Sequence, residues 1–447
     1  MGGIGVKVVV MGLDGACWRL LDPWIASGEL PHLAKLRQRS LWGDLISQLP
    51  PVTCPNWKCY STGQNPGKLG VYWWQMIDRD KRKIKVPNSL SFHGKDYWEY
   101  LSKNGKRVAV INMPSTFPPS PVNGYFISGH PIPDAENQNY TYPVSLKQKL
   151  YQRYNYRIYP QSKVCRKSTL ETPEIQDTLR LIDVRFETAY DLLVEHDLDF
   201  VHVTTFDINV LQHFFWSGEQ TLEGWKRIDQ HIQRFMDLGV VLILMSDHGS
   251  APIDFTFNIN VWLQKHGYLR IHKDKLKDWQ FVSHSQPGKE ELIDWENSQA
   301  VATSQGPVYI LKHPSQPDYE KLRQELMRKL SEVKNPETGE PIAERVYLRE
   351  ELYHGPYLDQ APDLLVQFRD GYDIKDRMDG TELFTQPQHW RAGNARNGMW
   401  VLYDPNASYS PTKIEGVNII DLAPTILELF NLSKPENMDG QSIFDKF

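Results

Sequence analysis

Val240-Val241-Leu242-Ile243-Leu244-Met245-Ser246-Asp247-His248-Gly249 is the stretch that decides the fold. Six apolar residues in an unbroken run read as a strand with both faces covered, the pattern of a parallel sheet sandwiched between helices. At its carboxyl end the run delivers two metal-capable side chains, Asp247 and His248, and Gly249 then turns the chain. In open α/β sheets ligands bind at the carboxyl ends of the strands, so ionisable neighbours at such a place mark a site more often than a packing accident.

Working outward, the same grammar repeats. Lys7-Val8-Val9-Val10-Met11-Gly12-Leu13-Asp14-Gly15 is a second buried strand closed by a glycine turn, with Asp14 at its end. A turn aspartate before glycine is the bland alternative for that residue. Asp199 to Phe206 is a third strand, followed directly by Asp207, Asn209 and His213. Arg107–Asn112 and Tyr125–His130 are shorter strands flanking a proline-broken segment, and Ala361–Val366 and Gly398–Tyr403 complete the set. Helices are expected at Trp18–Gly28, Leu33–Arg39, Thr172–His196, Gly224–Met236 and Asp421–Phe430. Residues 1–265 and 359–447 read as one α/β core, with 75–165 as lid or wall segments within it. Residues 266–358 read as an inserted α/β cap with a charged helix over Asp318–Val333.

The second decisive stretch is Pro50-Pro51-Val52-Thr53-Cys54-Pro55-Asn56-Trp57. Prolines on both sides stiffen the backbone around Thr53. A helix is expected from about Asn56 to Thr62. A hydroxyl held at that helix start is either a nucleophile beside anion-favouring N–H groups or simply the helix N-cap. Trp73, Trp74 and His130 are read as possible walls of a cleft, with packing (for the tryptophans) and a solvated loop (for the histidine) as the plainer alternatives.

Composition narrows the function classes. The chain has 447 residues, 40% apolar and 23% charged, with a net charge of −5. That balance carries no basic footprint, so nucleic acid is not an expected partner. No apolar run approaches the ~20 residues a membrane span needs, and the start of the chain does not read as a signal peptide. Four cysteines make neither a disulfide framework nor a CxxC pair, and a cytoplasmic location is the expectation. Cys54 lacks a local cation to activate it and reads as a small wall residue.

Asp14, Thr53, His213, Asp247 and His248 therefore fall at the site-side ends of separate segments. Carboxylates and imidazoles gathered this way suit a divalent cation with a mixed N/O shell, Zn²⁺ or Mn²⁺. A cation beside a threonine lowers the hydroxyl pKa and screens phosphate charge.

The order of these motifs resembles the alkaline phosphatase superfamily, in its type I phosphodiesterase/nucleotide pyrophosphatase branch and its predicted phosphohydrolase/phosphomutase members. GLDGACW, LPHLAKL, LPPVTCPNW, STGQNPGK, NMPSTFPPSPVNGYFISG, QHFFW, MSDHGS, GPYLDQAPDLLV and IIDLAPTILELF carry the resemblance, in order. It implies a three-layer α/β/α sandwich with a mostly parallel central sheet, and a Ser or Thr nucleophile flanked by two divalent metals. One metal falls to Asp14, Thr53, Asp247 and His248, all present. The second would need an Asp four residues before a His, that His, and a late His. Here His213 stands, Asn209 occupies the Asp position, and the late segment offers Asn394 or Ala395. Leu69 and Trp74 also depart from the family pattern.

The resemblance thus implies a metal-dependent phosphoester hydrolase using Thr53, with one intact metal site and a second in doubt. His213 or Arg396 would handle the leaving group or the phosphate charge. Asp207 and His389 are possible compensating ligands. Two alternatives stay open: a group transferase or condensing enzyme working through a covalent Thr53 intermediate, and an inactive homologue that binds its ligand. The expected partner in each case is a small phosphorylated or related molecule.

Overall fold

The computed structural model describes residues 6–278, 288–407 and 409–446. They divide into two compact units, one of residues up to 64 with 88–251 and 389 onward, the other of 65–87 with 252–388.

The first unit is built on a ten-stranded sheet. Its strands are β1 (Val8–Leu13), β2 (Leu41–Ile46), β3 (Val108–Met113), β4 (Gly124–Ser128), β5 (Thr141–Tyr142), β6 (Phe200–Thr205), β7 (Val241–Met245), β8 (Asn397–Tyr403), β9 (Thr412–Lys413) and β10 (Val417–Asn418). They lie in the order β9-β2-β8-β7-β1-β6-β3-β4-β5, with β10 also paired to β2. β7, β1, β6, β3 and β4 form a parallel block. β8 enters antiparallel between β7 and β2, and β5 runs antiparallel to β4. The sheet is therefore mixed rather than strictly parallel.

Both faces of the block are covered, as its unbroken apolar runs require. Val9, Met11, Val201, Val203, Leu242 and Leu244 share one core with Leu179, Ile182 and Phe186 of helix α3 (Pro173–Glu195) and Trp225, Ile228 and Ile232 of helix α5 (Glu219–Asp237). The alternate residues point to the other face. There the Phe200 ring meets Tyr97 and Phe430, and Trp98 meets Phe126 and His202. Helices α1 (Thr53–Thr62), α2 (Tyr97–Lys103) and α6 (Leu422–Leu429) make up that layer. A fully buried Leu, Ile or Phe contributes about 1.5–3 kcal/mol by removal from water, so the two helical layers clamp the sheet from both sides.

The helix at Thr53 begins three residues earlier than the sequence suggests. Val52, in an extended conformation, is the cap, Thr53 is the first helical residue, and no side-chain bond caps the end. Pro55 is tolerated because first-turn N–H groups have no intrahelical acceptor to lose. The Thr53 hydroxyl is thus not spent on capping.

In the second unit Ala300–Ala302, Pro307–Ile310, Leu364–Phe368 and Ala343–Leu348 form an antiparallel sheet, with helix Tyr319–Ser331 packed on it. Residues 65–87 belong to this unit through long-range bonds. The Asn65 amide donates to the Leu352 carbonyl at 2.9 Å, and the Tyr72 hydroxyl to that of Tyr357 at 2.7 Å. The boundaries thus differ from the 266–358 cap and 75–165 lid read from sequence, because β3 and β4 are sheet strands and 65–87 pairs with residues far along the chain. Asp363 lies at the start of the strand Leu364–Phe368 of this sheet. It is fully buried, accepts the Ile310 N–H at 2.7 Å and pairs with Arg79 at 3.2 Å. Trp73 is buried in this unit and Trp74 half-buried.

Candidate active site

β1 and β7 are neighbours in register, so their carboxyl ends set Asp14 and Asp247 side by side. Gly15 makes the turn after β1 with a φ of 70°, a left-handed conformation that glycine adopts without strain. Its N–H donates to Asp247 Oδ1 at 3.2 Å. Trp57, one helical turn after Thr53 and so on the same face of α1, donates its indole N–H to Asp14 Oδ2 at 3.0 Å. Each carboxylate therefore has one oxygen fixed by a donor. The other two, Asp14 Oδ1 and Asp247 Oδ2, are buried and have no hydrogen-bond partner.

Those two oxygens face His248. Its Nε2 lies 3.6 Å from Asp14 Oδ1 and 3.3 Å from Asp247 Oδ2. The other ring nitrogen, Nδ1, donates to the Gly249 carbonyl at 2.8 Å. With Nδ1 carrying a proton, the Nε2 lone pair of a neutral ring would confront two carboxylate oxygens in a dry site. That crowding of acceptors suits a cation at their centre, and the carbonyl partner on the far nitrogen is the usual way a ligating imidazole is oriented. One ligand atom from each of Asp14, Asp247 and His248 lies within 4.8 Å of the others, and among the described residues no other such His, Cys, Asp or Glu group occurs. Burial, and then the charge of Asp247, hold the Asp14 carboxyl well above its usual range; the Trp57 and Asn209 side chains pull the other way. Burial raises Asp247 as well, opposed by His248.

The Thr53 hydroxyl is 3.2 Å from His248 Nε2. Its loop is held by Asn56, whose amide donates to the carbonyls of Gln48, Pro50 and Val52 at 3.0–3.1 Å and whose carbonyl accepts the Gln48 N–H at 2.8 Å. Asn394 adds a bond to the Pro51 carbonyl at 2.9 Å. Asn394, one of the two residues at which the resemblance calls for a histidine, thus clamps the loop that leads to Thr53. Cys54 is inert, its thiol pushed up to about 12 by burial.

The remaining expected residues are placed differently. Asn209 and His213 lie on helix α4 (Asp207–Phe215). The Asn209 side chain rests against Gly15, close enough that a Cβ there would meet its Oδ1 at 2.3 Å. His213 stacks on Trp390 at 3.9 Å between ring centroids, and its Nδ1 bonds the Ala392 carbonyl at 2.8 Å. Neither belongs to the Asp14/Asp247/His248 group. Asp207 faces the buried Arg185 guanidinium at 3.5 Å, so it is engaged as a structural counter-ion rather than a ligand. His389 is exposed, and Arg396 is half-buried with its carbonyl accepting the Ser47 hydroxyl. His130 is a half-buried loop residue that stacks on Phe206 at 4.9 Å, and burial lowers its pKa to about 4.

Sequence reasoning missed Trp57 and Asn56, and it missed the bond of Asn394 to the Pro51 carbonyl. Spacing was the only available sign, since Trp57 follows Thr53 by four residues on a helix. The Asn56 and Asn394 clamps depend on where distant carbonyls come to lie.

The family model for type I phosphodiesterase/nucleotide pyrophosphatase matches residues 8–394, and the chain belongs to that family. It is an enzyme that acts on phosphoesters. Among solved structures it is similar to phosphonoacetate hydrolase from Sinorhizobium meliloti 1021 in complex with phosphonoacetate, at 14% identity over 96% of both chains and a TM-score of 0.63. It is also similar to murine ectonucleotide pyrophosphatase/phosphodiesterase 5 in complex with AMP, at 13% identity over 99% of this chain and 98% of that one, with a TM-score of 0.57. The human form of that protein gives 14% identity, 98% of both chains and 0.56. No curated protein matches the sequence. All four cysteines are free thiols, and among the described residues no helix is long and apolar enough to cross a membrane.

Proposed function

We propose that this chain is a metal-dependent phosphoester hydrolase in which Thr53 is the nucleophile and one Zn²⁺ or Mn²⁺ is held by Asp14, Asp247 and His248 beside it. The observation that carries the reading is the pair of buried, partnerless oxygens, Asp14 Oδ1 and Asp247 Oδ2, converging on His248 Nε2 next to the Thr53 hydroxyl. Oxygen and imidazole donors of this kind suit either ion. A cation held there lowers the pKa of the neighbouring hydroxyl and offsets the charge of a phosphoryl group.

The chain's own part is positioning. The Asn56 and Asn394 clamps fix the 48–52 loop, and α1 carries Thr53 into place with few freedoms left to lose. Thr53 Oγ forms a bond to phosphorus and releases its proton to solvent, while the ester oxygen leaves with the bonding pair and takes up a proton from solvent. A second displacement by water returns the hydroxyl. The ligands of the two structural neighbours, phosphonoacetate and AMP, are small phosphorus oxyanions, and we extend that class to this chain's substrate. Zinc- or manganese-dependent turnover of bis(p-nitrophenyl) phosphate or p-nitrophenyl phosphate, abolished by chelation and by Thr53→Ala, is the expected result. Turnover indifferent to both would refute the reading.

A further inference from the structure

Every backbone N–H and carbonyl of the turn from Asp14 to Ala16 is bonded. The Asp14 N–H donates to the Thr205 carbonyl at 3.4 Å, and the Asp14 carbonyl accepts from the Gln212 amide at 3.1 Å. The Gly15 N–H goes to Asp247 Oδ1, and the Ala16 N–H donates to the Leu13 carbonyl at 3.1 Å. The two remaining carbonyls are taken by the serines that flank Asp247 and His248. Ser246 Oγ donates to Ala16 and Ser250 Oγ to Gly15, each at 2.8 Å. Both serines are 1% exposed.

The two serines are not equivalent. Ser246 Oγ also accepts the Met399 N–H at 2.8 Å, so it is engaged with β8 as well as with the turn. Ser250 joins two groups that orient ligands. Its hydroxyl holds the Gly15 carbonyl, and the N–H of that same glycine fixes Asp247 Oδ1 and leaves Oδ2 toward His248. The peptide unit that links Gly249 to Ser250 carries the carbonyl that accepts the His248 Nδ1 proton. One hydroxyl thus ties the peptide that orients the imidazole to the turn that orients the carboxylate. Cys17 braces the same place, its thiol donating to the Ser250 carbonyl at 3.4 Å.

We propose that Ser250 is a positioning residue of this centre, whose hydroxyl holds Asp247 Oδ2 and His248 Nε2 at their mutual spacing by way of Gly15. This rests on the reading of Asp14, Asp247 and His248 as a cation site; Ser250 is not one of that ligand group. Alanine at 250 would leave the Gly15 carbonyl buried without its donor, a costly condition. Glycine, with φ of 70° here, has the backbone freedom to turn the carbonyl toward another partner. That movement takes the Gly15 N–H away from Asp247 Oδ1 and frees the carboxylate to rotate. Groups that orient a ligand without touching the cation carry a large share of its affinity.

Ser250→Ala should weaken zinc binding by about 10–100-fold, read on the folded protein by competition with a chelator. Ser250→Thr keeps the hydroxyl and should recover most of the loss. Ser40→Ala is the control: it removes another fully buried serine hydroxyl, bonded to the Leu36 carbonyl at 2.6 Å just before β2. It should lower the melting temperature and leave zinc affinity within about twofold, as a bond with a structural role alone does. A Ser250→Ala protein that melts earlier yet binds zinc as the wild type does overturns the assignment. Should the alanine variant not fold, Ser250→Cys, a weaker donor, should weaken zinc in the same direction by a smaller factor, and an unchanged affinity there counts equally against it. If the wild-type protein holds no zinc, the cation reading has failed, and amide hydrogen exchange in the peptide spanning Gly15 decides the tie. Exchange about tenfold faster in Ser250→Ala, with Ser40→Ala unchanged, then supports Ser250 as the group that holds the turn. Equal rates overturn it.

Discussion

The indole N–H of Trp57 donates to Asp14 Oδ2 at 3.0 Å, and this single bond decides which oxygen of Asp14 is left to face His248. The ring is held from behind by the bare backbone of Gly12, where a Cβ would approach it to 2.7 Å. Strand and helix are thereby locked together at the point where the strand delivers its carboxylate.

Trp57→Phe keeps most of the ring and removes the donor. Groups that orient a metal ligand typically account for 10–100-fold in metal affinity or activity. Zinc affinity, read by competition with a chromophoric chelator on the folded variant, should weaken by about that factor. An unchanged affinity would show that the indole serves packing alone.

The Thr53 hydroxyl, 3.2 Å from His248 Nε2, sets a second expectation. Thr53→Ala should lower kcat/KM by ~10³-fold or more, as removal of a nucleophile does, with zinc still bound. Thr53→Ser should retain measurable turnover, because the attacking atom survives. Mass spectrometry of wild-type protein quenched during turnover should show a phosphoryl adduct on the peptide containing Thr53, absent from the alanine variant. Adding alcohols separates hydrolysis from transfer, since only transfer yields an acceptor phosphoester.

Asn209 gives the metal count its test. Its amide lies against Gly15 next to Asp14, where the resemblance calls for a carboxylate. An amide there spares Asp14 a second anionic neighbour and offers a weaker ligand to a cation. Purified wild-type protein saturated with zinc should hold about one ion per chain, in keeping with the one ligand group among the described residues. Asn209→Asp supplies the missing charge and should raise the zinc content toward two. Two tightly held ions in the wild type would show that His213 and its surroundings already bind one.

The contrast between these residues explains how much could be read in advance. Asp14 and Asp247–His248 were legible because an apolar run fixes a strand, and a strand end in a parallel sheet fixes a location. Thr53 was legible as a residue in a rigid loop, although its place as first helical residue depends on Val52 being extended. Asp207 misled for a physical reason: sequence puts it at the strand end, but the buried Arg185 guanidinium, contributed by α3, claims it. The assignment of 65–87 to the second unit was hidden, since it rests on bonds such as Asn65 to Leu352 across almost three hundred residues.

His202 is a buried histidine whose protonation opposes the folded state. It lies in the middle of β6, fully buried, with Nδ1 3.1 Å from the Tyr60 hydroxyl and Nε2 2.7 Å from that of Thr204. Burial lowers its pKa from 6.5 to about 3. A depressed folded pKa means that the unfolded chain takes up the proton first. The stability tied to the neutral ring is therefore complete above the unfolded value of 6.5 and is lost progressively as the pH falls toward 3. While that proton is taken up only on unfolding, the slope approaches about 1.4 kcal/mol per pH unit. Urea unfolding of the wild-type protein between pH 7 and 4 should show this decline, and His202→Gln, which cannot take the proton, should flatten it by close to one proton. An unchanged slope in the variant would mean that other groups, His130 among them, carry the acid sensitivity.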